Sequence, residues 1–357
     1  MMLENNNKSR RKLPFFAGCF LGGAVGDALG ASMLFARIMG ESFGEEGIPD
    51  YVPTKEGKRL GEITAHTQMT LFTADGLIRA RKRALSGDSG NEVLDIYYAY
   101  LRWMDTQDES SVPLDSDTKD VWDGWLITLP ELHAIRSPSK ITIPTLRTGK
   151  KGEIGTPITN NKGSSAVVRT APVGLTKSML SHDPFTLGGM VNALTHGHPT
   201  GVHAAGFFAE TISNIVAGAT LEQAISSAIT ILRNQPNHEE CIDAVETAVK
   251  RAHNEQATAE NVESFGLGWD ADDALAISLF CALKAESFEH GVTLAVNHRG
   301  DREATGAMTG SLLGILMGKE AIPSRWLEPL ELRAEIEELT RDFASYFIDD
   351  WEKYPIR

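Results

Sequence analysis

Between Phe15 and Phe35 the chain carries Gly18, Gly22, Gly23, Gly26 and Gly30, with Ala17, Ala24, Ala28 and Ala31 among them and large apolar residues in between. Glycine lowers helix propensity by about 1 kcal/mol relative to alanine. So many glycines in one apolar stretch need a packing reason. A central helix that lets its neighbours come close supplies one, and the fold is expected to form around it.

The remaining pattern is also helical. Residues Thr67 to Arg83 read as a helix ended by Ser86-Gly87-Asp88, and Val93 to Met104 as another. Thr220-Leu221-Glu222-Gln223 is a capping-box pattern that opens a helix reaching about Leu232. Ala271 to Lys284 and Ala304 to Met317 are apolar and helical. Leu332, Ile336, Leu339, Phe343 and Phe347 recur at spacings of three and four, which predicts an amphipathic terminal helix. No sustained alternation suggests strands, and no repeat of 20–50 residues is evident. One all-α domain over residues 13–357 is expected, preceded by a polar, basic tail over residues 1–12 that is expected to be disordered. Ser137 to Ser165 reads as a long irregular segment, and loops of that length tend to be functional or mobile.

A net charge of −14 argues against a nucleic-acid partner, where a basic face is expected. It fits an acidic surface able to attract a basic protein. Cys19, Cys241 and Cys281 have neither metal-ligand nor redox spacing, which points to buried thiols in a reducing compartment. Lys8, Arg10, Arg11 and Lys12 before Leu13 to Phe16 mimic a signal peptide, but that apolar run is too short. No stretch reads as a membrane span of about 20 apolar residues. The expected location is the cytoplasm, with no membrane partner.

Two stretches stand out for chemistry, Ile63-Thr64-Ala65-His66-Thr67-Gln68-Met69-Thr70 and Asn297-His298-Arg299-Gly300-Asp301-Arg302-Glu303-Ala304-Thr305-Gly306. With Gly26-Asp27-Ala28-Leu29-Gly30, Asn161-Lys162-Gly163, Val168-Arg169-Thr170-Ala171-Pro172-Val173-Gly174 and Thr195-His196-Gly197-His198-Pro199, they follow one another in a diagnostic order. In that order, from about Phe15 to about Leu339, the chain resembles the ADP-ribosylglycohydrolase family. The resemblance implies an all-α fold with a cleft for two divalent metals, usually magnesium or manganese. It also implies ADP-ribose over those metals and hydrolysis by a metal-activated water.

The chain departs from the family at the ligands. The family runs read Thr-Asp-Asp and Asp-x-Asp-Ser/Thr. Here Thr64 is followed by Ala65 and His66, and Asp301 by Arg302, Glu303 and Ala304. Leu34 stands before Phe35 where many members carry Glu. Hard divalent cations need several oxygen ligands, chiefly carboxylates. Asp301 and Glu303 are the candidate catalytic carboxylates. Thr64, His66, Asp301 and Glu303 are the metal ligands if a metal is retained, and His66 suits manganese or zinc better than magnesium. Beside a divalent ion, an arginine at ~5 Å would cost on the order of 6 kcal/mol at an effective dielectric near 20. Arg299 and Arg302 therefore weigh against metals if they point inward. Arg302 would then pair with Asp301 or Glu303 in place of a metal, or hold a phosphate or carboxylate. Taken without the resemblance, the Arg-Gly-Asp-Arg-Glu string reads as surface ion pairs.

Asn161-Lys162-Gly163-Ser164-Ser165 resembles the family loop that wraps the ADP-ribose diphosphate, and backbone N–H groups in such turns cradle anions. Alone it would read as a solvated loop. His196 and His198 either contact ligand or form a helix-start turn with one histidine hydrogen-bonded in the core. Trp122 and Trp125 read as packing residues.

Three functions remain open on these residues. The first is a catalytically impaired family member that binds ADP-ribose or a partner protein, such as an ADP-ribosylating toxin that it neutralises in the manner of an immunity protein. In that case no cofactor is expected. The second is an active hydrolase that removes ADP-ribose from modified protein side chains such as arginine, with magnesium or manganese in a remodelled site. The third is a structural protein that reuses the fold without a ligand.

Overall fold

The computed structural model describes residues 9–38, 40–41, 43–53, 59–88, 91–107, 123–176 and 180–348. The long helices are α1 (Leu13–Ile38), α2 (Ala65–Leu85), α3 (Glu92–Thr106), α4 (Pro184–Ala193), α5 (Pro199–Val216), α6 (Leu221–Leu232), α7 (Glu239–Asn254), α8 (Ala271–Lys284), α9 (Phe288–Val296), α10 (Arg302–Met317) and α11 (Arg333–Phe347). Among the described residues there is no strand; Gly163 and Asp270 form an isolated bridge. The fold is all-α, as the periodicity predicts.

The glycines of α1 have the packing partner their number requires. α1 and α10 run antiparallel with backbones in contact: Gly18 faces Gly314, Gly22 faces Gly310, Gly26 faces Gly306, and Gly30 meets the backbone of Arg302. A Cβ at Gly26 would lie 1.9 Å from the Gly306 carbonyl oxygen, and one at Gly310 would lie 2.0 Å from that of Gly22. Nothing larger than hydrogen fits at these crossings. The close approach draws Asp27 on α1 toward the first turn of α10, and that positions the site.

α1 is long and apolar enough to cross a membrane by length and composition, which corrects the expectation that no stretch qualifies. Its glycines and alanines keep the whole run apolar without bulk. The helix lies inside the protein, with 89% of its most apolar 18-residue window buried. Phe343 on α11 meets the rings of Phe16 and Phe20 at 6.2 and 5.6 Å.

The terminal helix Arg333–Phe347 buries Ile336, Leu339, Phe343 and Phe347, the positions its period selects. The capping box of α6 is formed, with Thr220 accepting from the Gln223 N–H and Gln223 from the Thr220 N–H. The three cysteines are buried and free.

The basic tail differs in part from its expectation. Residues 1–8 lie outside the described residues, but Ser9 to Lys12 are docked. Arg10 donates to the carbonyls of Ile215, Ala219 and Leu316, and Arg11 to that of Phe347. These carbonyls sit at or just past the C-terminal ends of α5, α10 and α11, where unpaired acceptors attract cations. A composition-based reading misses this because the segment buries little apolar surface of its own.

Candidate functional site

The site is built from four pieces: the middle of α1, the first turn of α2, the first turn of α10 and the loop before the short helix Ser165–Val168.

Asp27 is fully buried in α1. Its carboxylate accepts from the Thr64 N–H at 2.8 Å, the Thr64 hydroxyl at 2.5 Å, the Thr67 N–H at 3.2 Å and the Thr67 hydroxyl at 2.5 Å. Thr64 is the N-cap of α2, and its oxygen also accepts from the His66 N–H. The capping hydroxyl and the carboxylate therefore satisfy each other, and the Thr64 proton points at Asp27. Thr67 went unrecognised in the sequence; its signal was the repeat of threonine three positions after the cap, one helical turn on.

His66 takes the position of a family carboxylate. Its Nδ1 lies 3.0 Å from the Thr64 oxygen and 3.9 Å from Asp27 Oδ1. Since the Thr64 hydroxyl donates to Asp27, the economical tautomer has Nδ1–H facing Thr64, which leaves Nε2 bare. Nε2 is buried without a hydrogen-bond partner.

Asp301 is the N-cap of α10. One oxygen accepts from the Ala304 N–H at 3.1 Å and the other from the Ser164 hydroxyl at 2.7 Å. Glu303 is buried in the first turn of the same helix. Burial, with the charge of Asp301 adding to it, pushes its carboxyl up to about 7, while His66 counteracts and Asp27 reinforces the shift. Asp301, His66 and Asp27 all lie near enough to act on the charge of Glu303.

Neither arginine behaves as an inward cation. Arg299 is exposed and pairs with Glu263 at 3.1 Å. Arg302 is buried, but its Nε donates to the His298 carbonyl. The expected pairing of Arg302 with Asp301 or Glu303 is not made; the first turn of α10 directs the side chain backward along the chain, as helical side chains lean.

The donor set does not fit a pair of hard divalent ions. Thr64 and Asp27 are bonded to each other, Ala65 offers a methyl group, and each Asp301 oxygen already accepts one hydrogen bond. Among the described residues no group of three His, Cys, Asp or Glu side chains is arranged to hold a cation.

The loop differs from an open anion cradle. The Gly163 N–H donates to the Asn161 side chain at 2.8 Å and the Ser164 N–H to the Trp269 carbonyl at 2.9 Å. Lys162 Nζ contacts Glu240, Asp272 and Asp270 at 2.7, 3.3 and 3.4 Å. Burial works against its charge, but these carboxylates outweigh burial and raise its pKa. Ser164 is held by Asp301, so of the two loop hydroxyls that of Ser165 is the one left without a partner among the described residues.

The two histidines divide the readings offered for them. His198 is the N-cap of α5, its Nδ1 accepting from the Thr200 N–H at 3.2 Å. His196 is a core histidine whose Nδ1 sits 2.8 Å from the Thr195 hydroxyl. Arg169 Nη2 donates to that same hydroxyl at 2.7 Å. The Thr195 proton is then best given to Nδ1, which leaves a proton on Nε2. That Nε2 is buried, unpartnered and beside the Cα of Gly163. Burial, helped by Arg169, lowers the His196 pKa to about 3, so the ring is neutral.

Trp125 packs against the core, while Trp122 lies outside the described residues. The segment Leu267-Gly268-Trp269, passed over in the sequence, borders the site. Leu267 O accepts from the Asp301 N–H and Trp269 O from the Ser164 N–H, yet both side chains are half exposed. Two large apolar residues flanking a glycine, one of them tryptophan, were the available signal.

Comparison with known proteins agrees with the fold. The ADP-ribosylglycohydrolase family model matches residues 7–353. The ADP-ribosyl-dinitrogen reductase glycohydrolase of Rhodospirillum rubrum is 26% identical over 332 residues, covering 90% of this chain and 91% of its own. A solved structure titled ADP-ribosylglycohydrolase-related protein complex superposes with a TM-score of 0.61 at 24% identity, over 95% of this chain and 98% of its own.

Proposed function

The chain belongs to the ADP-ribosylglycohydrolase family, and we propose that its cleft binds ADP-ribose, free or on a modified protein, without hydrolysing it efficiently. One observation carries this reading: Asp27, Thr64 and Asp301, at the positions where metal is expected, already take hydrogen bonds from or give them to protein partners. Asp27 takes its donors from Thr64 and Thr67, and Asp301 takes its own from Ser164 and Ala304. Binding groups remain. His196 offers a buried neutral N–H, Ser165 a free hydroxyl, and Leu267 and Trp269 offer apolar surface at the rim. A protein that holds ADP-ribosyl groups in this way shields them, and a plausible setting is the neutralisation of an ADP-ribosylating toxin. The acidic surface would favour a basic partner.

The test is titration with ADP-ribose in metal-free buffer, alongside a hydrolysis assay on ADP-ribosyl-arginine protein with magnesium, manganese and zinc in turn. Saturable binding without product release is expected. Metal-stimulated release would overturn the reading.

A second reading has one observation in its favour. The bare Nε2 of His66 is buried, and the ring lies near enough to Glu303 to act on its charge. A single ion that accepts nitrogen, manganese or zinc, would find one ligand there. The same assay decides it, since hydrolysis would then appear with manganese or zinc and disappear in a His66→Ala variant.

A further inference from the structure

We infer that Arg169 and Thr195 are positioning residues. Together they hold His196 in the tautomer that carries its proton on Nε2, so that the ring presents a fixed donor to an oxygen of ADP-ribose seated at the Gly163 turn. The inference deepens the proposed binding of ADP-ribose and rests on it.

Arg169 follows the short helix Ser165–Val168 and is fully buried, with no carboxylate in ion-pair range among the described residues. A buried charge without a counter-charge is costly, and an apolar side chain would fill the same space at less cost. Its guanidinium lies 4.4 Å from the centre of the Tyr100 ring, which offsets part of that cost. What an apolar residue could not do is donate. Arg169 Nη2 donates to the Val191 carbonyl at 3.0 Å and to the Thr195 hydroxyl at 2.7 Å.

That second bond sets the direction of the next. The Thr195 oxygen already accepts from Arg169, so its own proton turns to the acceptor beside it, His196 Nδ1 at 2.8 Å. A neutral imidazole has one donor and one acceptor nitrogen. With Nδ1 accepting, the ring proton lies on Nε2. The backbone around the ring is pinned as well. The His196 N–H donates to the Asn192 carbonyl at 2.9 Å, and the His196 carbonyl accepts from Asn192 Nδ2 at 2.6 Å. The Thr195 carbonyl accepts from the Thr159 hydroxyl at 2.7 Å.

Nε2 is the end of this relay, buried and without a partner. It lies against position 163, where a Cβ would stand 3.4 Å from Nε2 and 2.9 Å from Asn161 Oδ1. Glycine there leaves the ring edge uncovered by any side chain of its own. A fixed N–H at this edge selects an acceptor oxygen, of a phosphate or a sugar hydroxyl, and rejects a cation.

The full chain, labelled with 15N-histidine, is followed by NMR at pH 7, with His196 assigned from the His196→Gln spectrum, and its ADP-ribose affinity is measured by calorimetry in EDTA. In the wild type the proton is expected on Nε2, with Nδ1 accepting a hydrogen bond. Thr195→Val should move the Nδ1 signal, and Thr195→Ser should restore it. Arg169→Met frees the Thr195 oxygen to accept from Nδ1–H, so both tautomers should appear. A ring released from Thr195 has two tautomers and two faces, so about one state in four is competent and affinity should fall about fourfold in Thr195→Val. Thr195→Ser should bind as the wild type does. A wild-type proton on Nδ1, a Nδ1 signal unmoved in Thr195→Val, a single unchanged tautomer in Arg169→Met, or wild-type affinity in Thr195→Val overturns the inference. The wild-type spectrum decides the tautomer even if a variant does not fold. Failure of the wild type to bind ADP-ribose would instead overturn the reading of the cleft, and the role of the relay with it.

Discussion

The Ser164 hydroxyl donates to the carboxylate of Asp301 at 2.7 Å. This one bond ties the loop expected to wrap a diphosphate to the helix cap expected to hold a metal. It occupies the loop's donor and the cap's acceptor together.

Breaking that bond should cost stability. A hydrogen bond to a charged group contributes about 1.5–3 kcal/mol. Ser164→Ala should lower the unfolding free energy by about that amount in urea denaturation. An unchanged midpoint would mean that Asp301 finds another donor.

The crossing of α1 and α10 should be the least tolerant place in the chain. Overpacking a dense core typically costs about 1–3 kcal/mol and occasionally more. Gly26→Ala and Gly310→Ala place a methyl group against backbone that cannot retreat, so each should reach the upper end of that range or prevent folding. Circular-dichroism melts would check this; a loss under 1 kcal/mol would show that the helices separate easily.

Residues 9–12 should matter as much as a helix cap. Removing residues 1–12, or changing Arg10 to Ala, strips donors from three carbonyls at the ends of α5 and α10. Either change should lower the melting temperature measurably, whereas removing residues 1–8 alone keeps these bonds. Equal melting temperatures for the full chain and the chain lacking residues 1–12 would contradict the docking.

How far the sequence carried these conclusions depended on the interaction. Periodicity and caps located α6, α8 and α11 because local pattern determines them. The order of short motifs singled out Asp27, Thr64, His66, Asp301 and Glu303, which lie near one another in the fold. The sequence was silent on what each side chain does there. Arg302 turns back to the carbonyl of His298 four residues before it, while Lys162 swings to Glu240 because of a neighbour distant in the chain. The docking of Arg10 was hidden for the same reason: its partners lie more than 200 positions away.

Acid should destabilise the fold through two buried histidines. Burial lowers the pKa of His196 and of His298 to about 3, from an ordinary value near 6.5. The unfolded chain takes up these protons first. The stability contributed by the neutral rings is complete above about pH 6.5 and is lost progressively as pH falls toward 3. Unfolding free energy measured between pH 7 and pH 4 should fall with a slope approaching two protons, and His196→Gln should remove about one of them. A flat profile would show that the rings are not held neutral.

Restoring metal binding should need several changes at once. Ala65→Asp alone leaves Thr64 bound to Asp27 and leaves Asp301 capped. Combining it with His66→Asp, Glu303→Asp, Ala304→Ser, Arg299→Ser and Arg302→Ser should recover magnesium binding, because residues that act as a unit are not additive. Strong hydrolysis from Ala65→Asp alone would mean that the site is intact apart from one ligand.

The most direct measurement of the central claim is a calorimetric titration of the purified chain with ADP-ribose, first in EDTA and then with saturating magnesium, with the products of an ADP-ribosyl-arginine protein followed under both conditions. The expected result is saturable binding of equal strength in both buffers and no release of ADP-ribose. Binding and release that appear only with magnesium would contradict it.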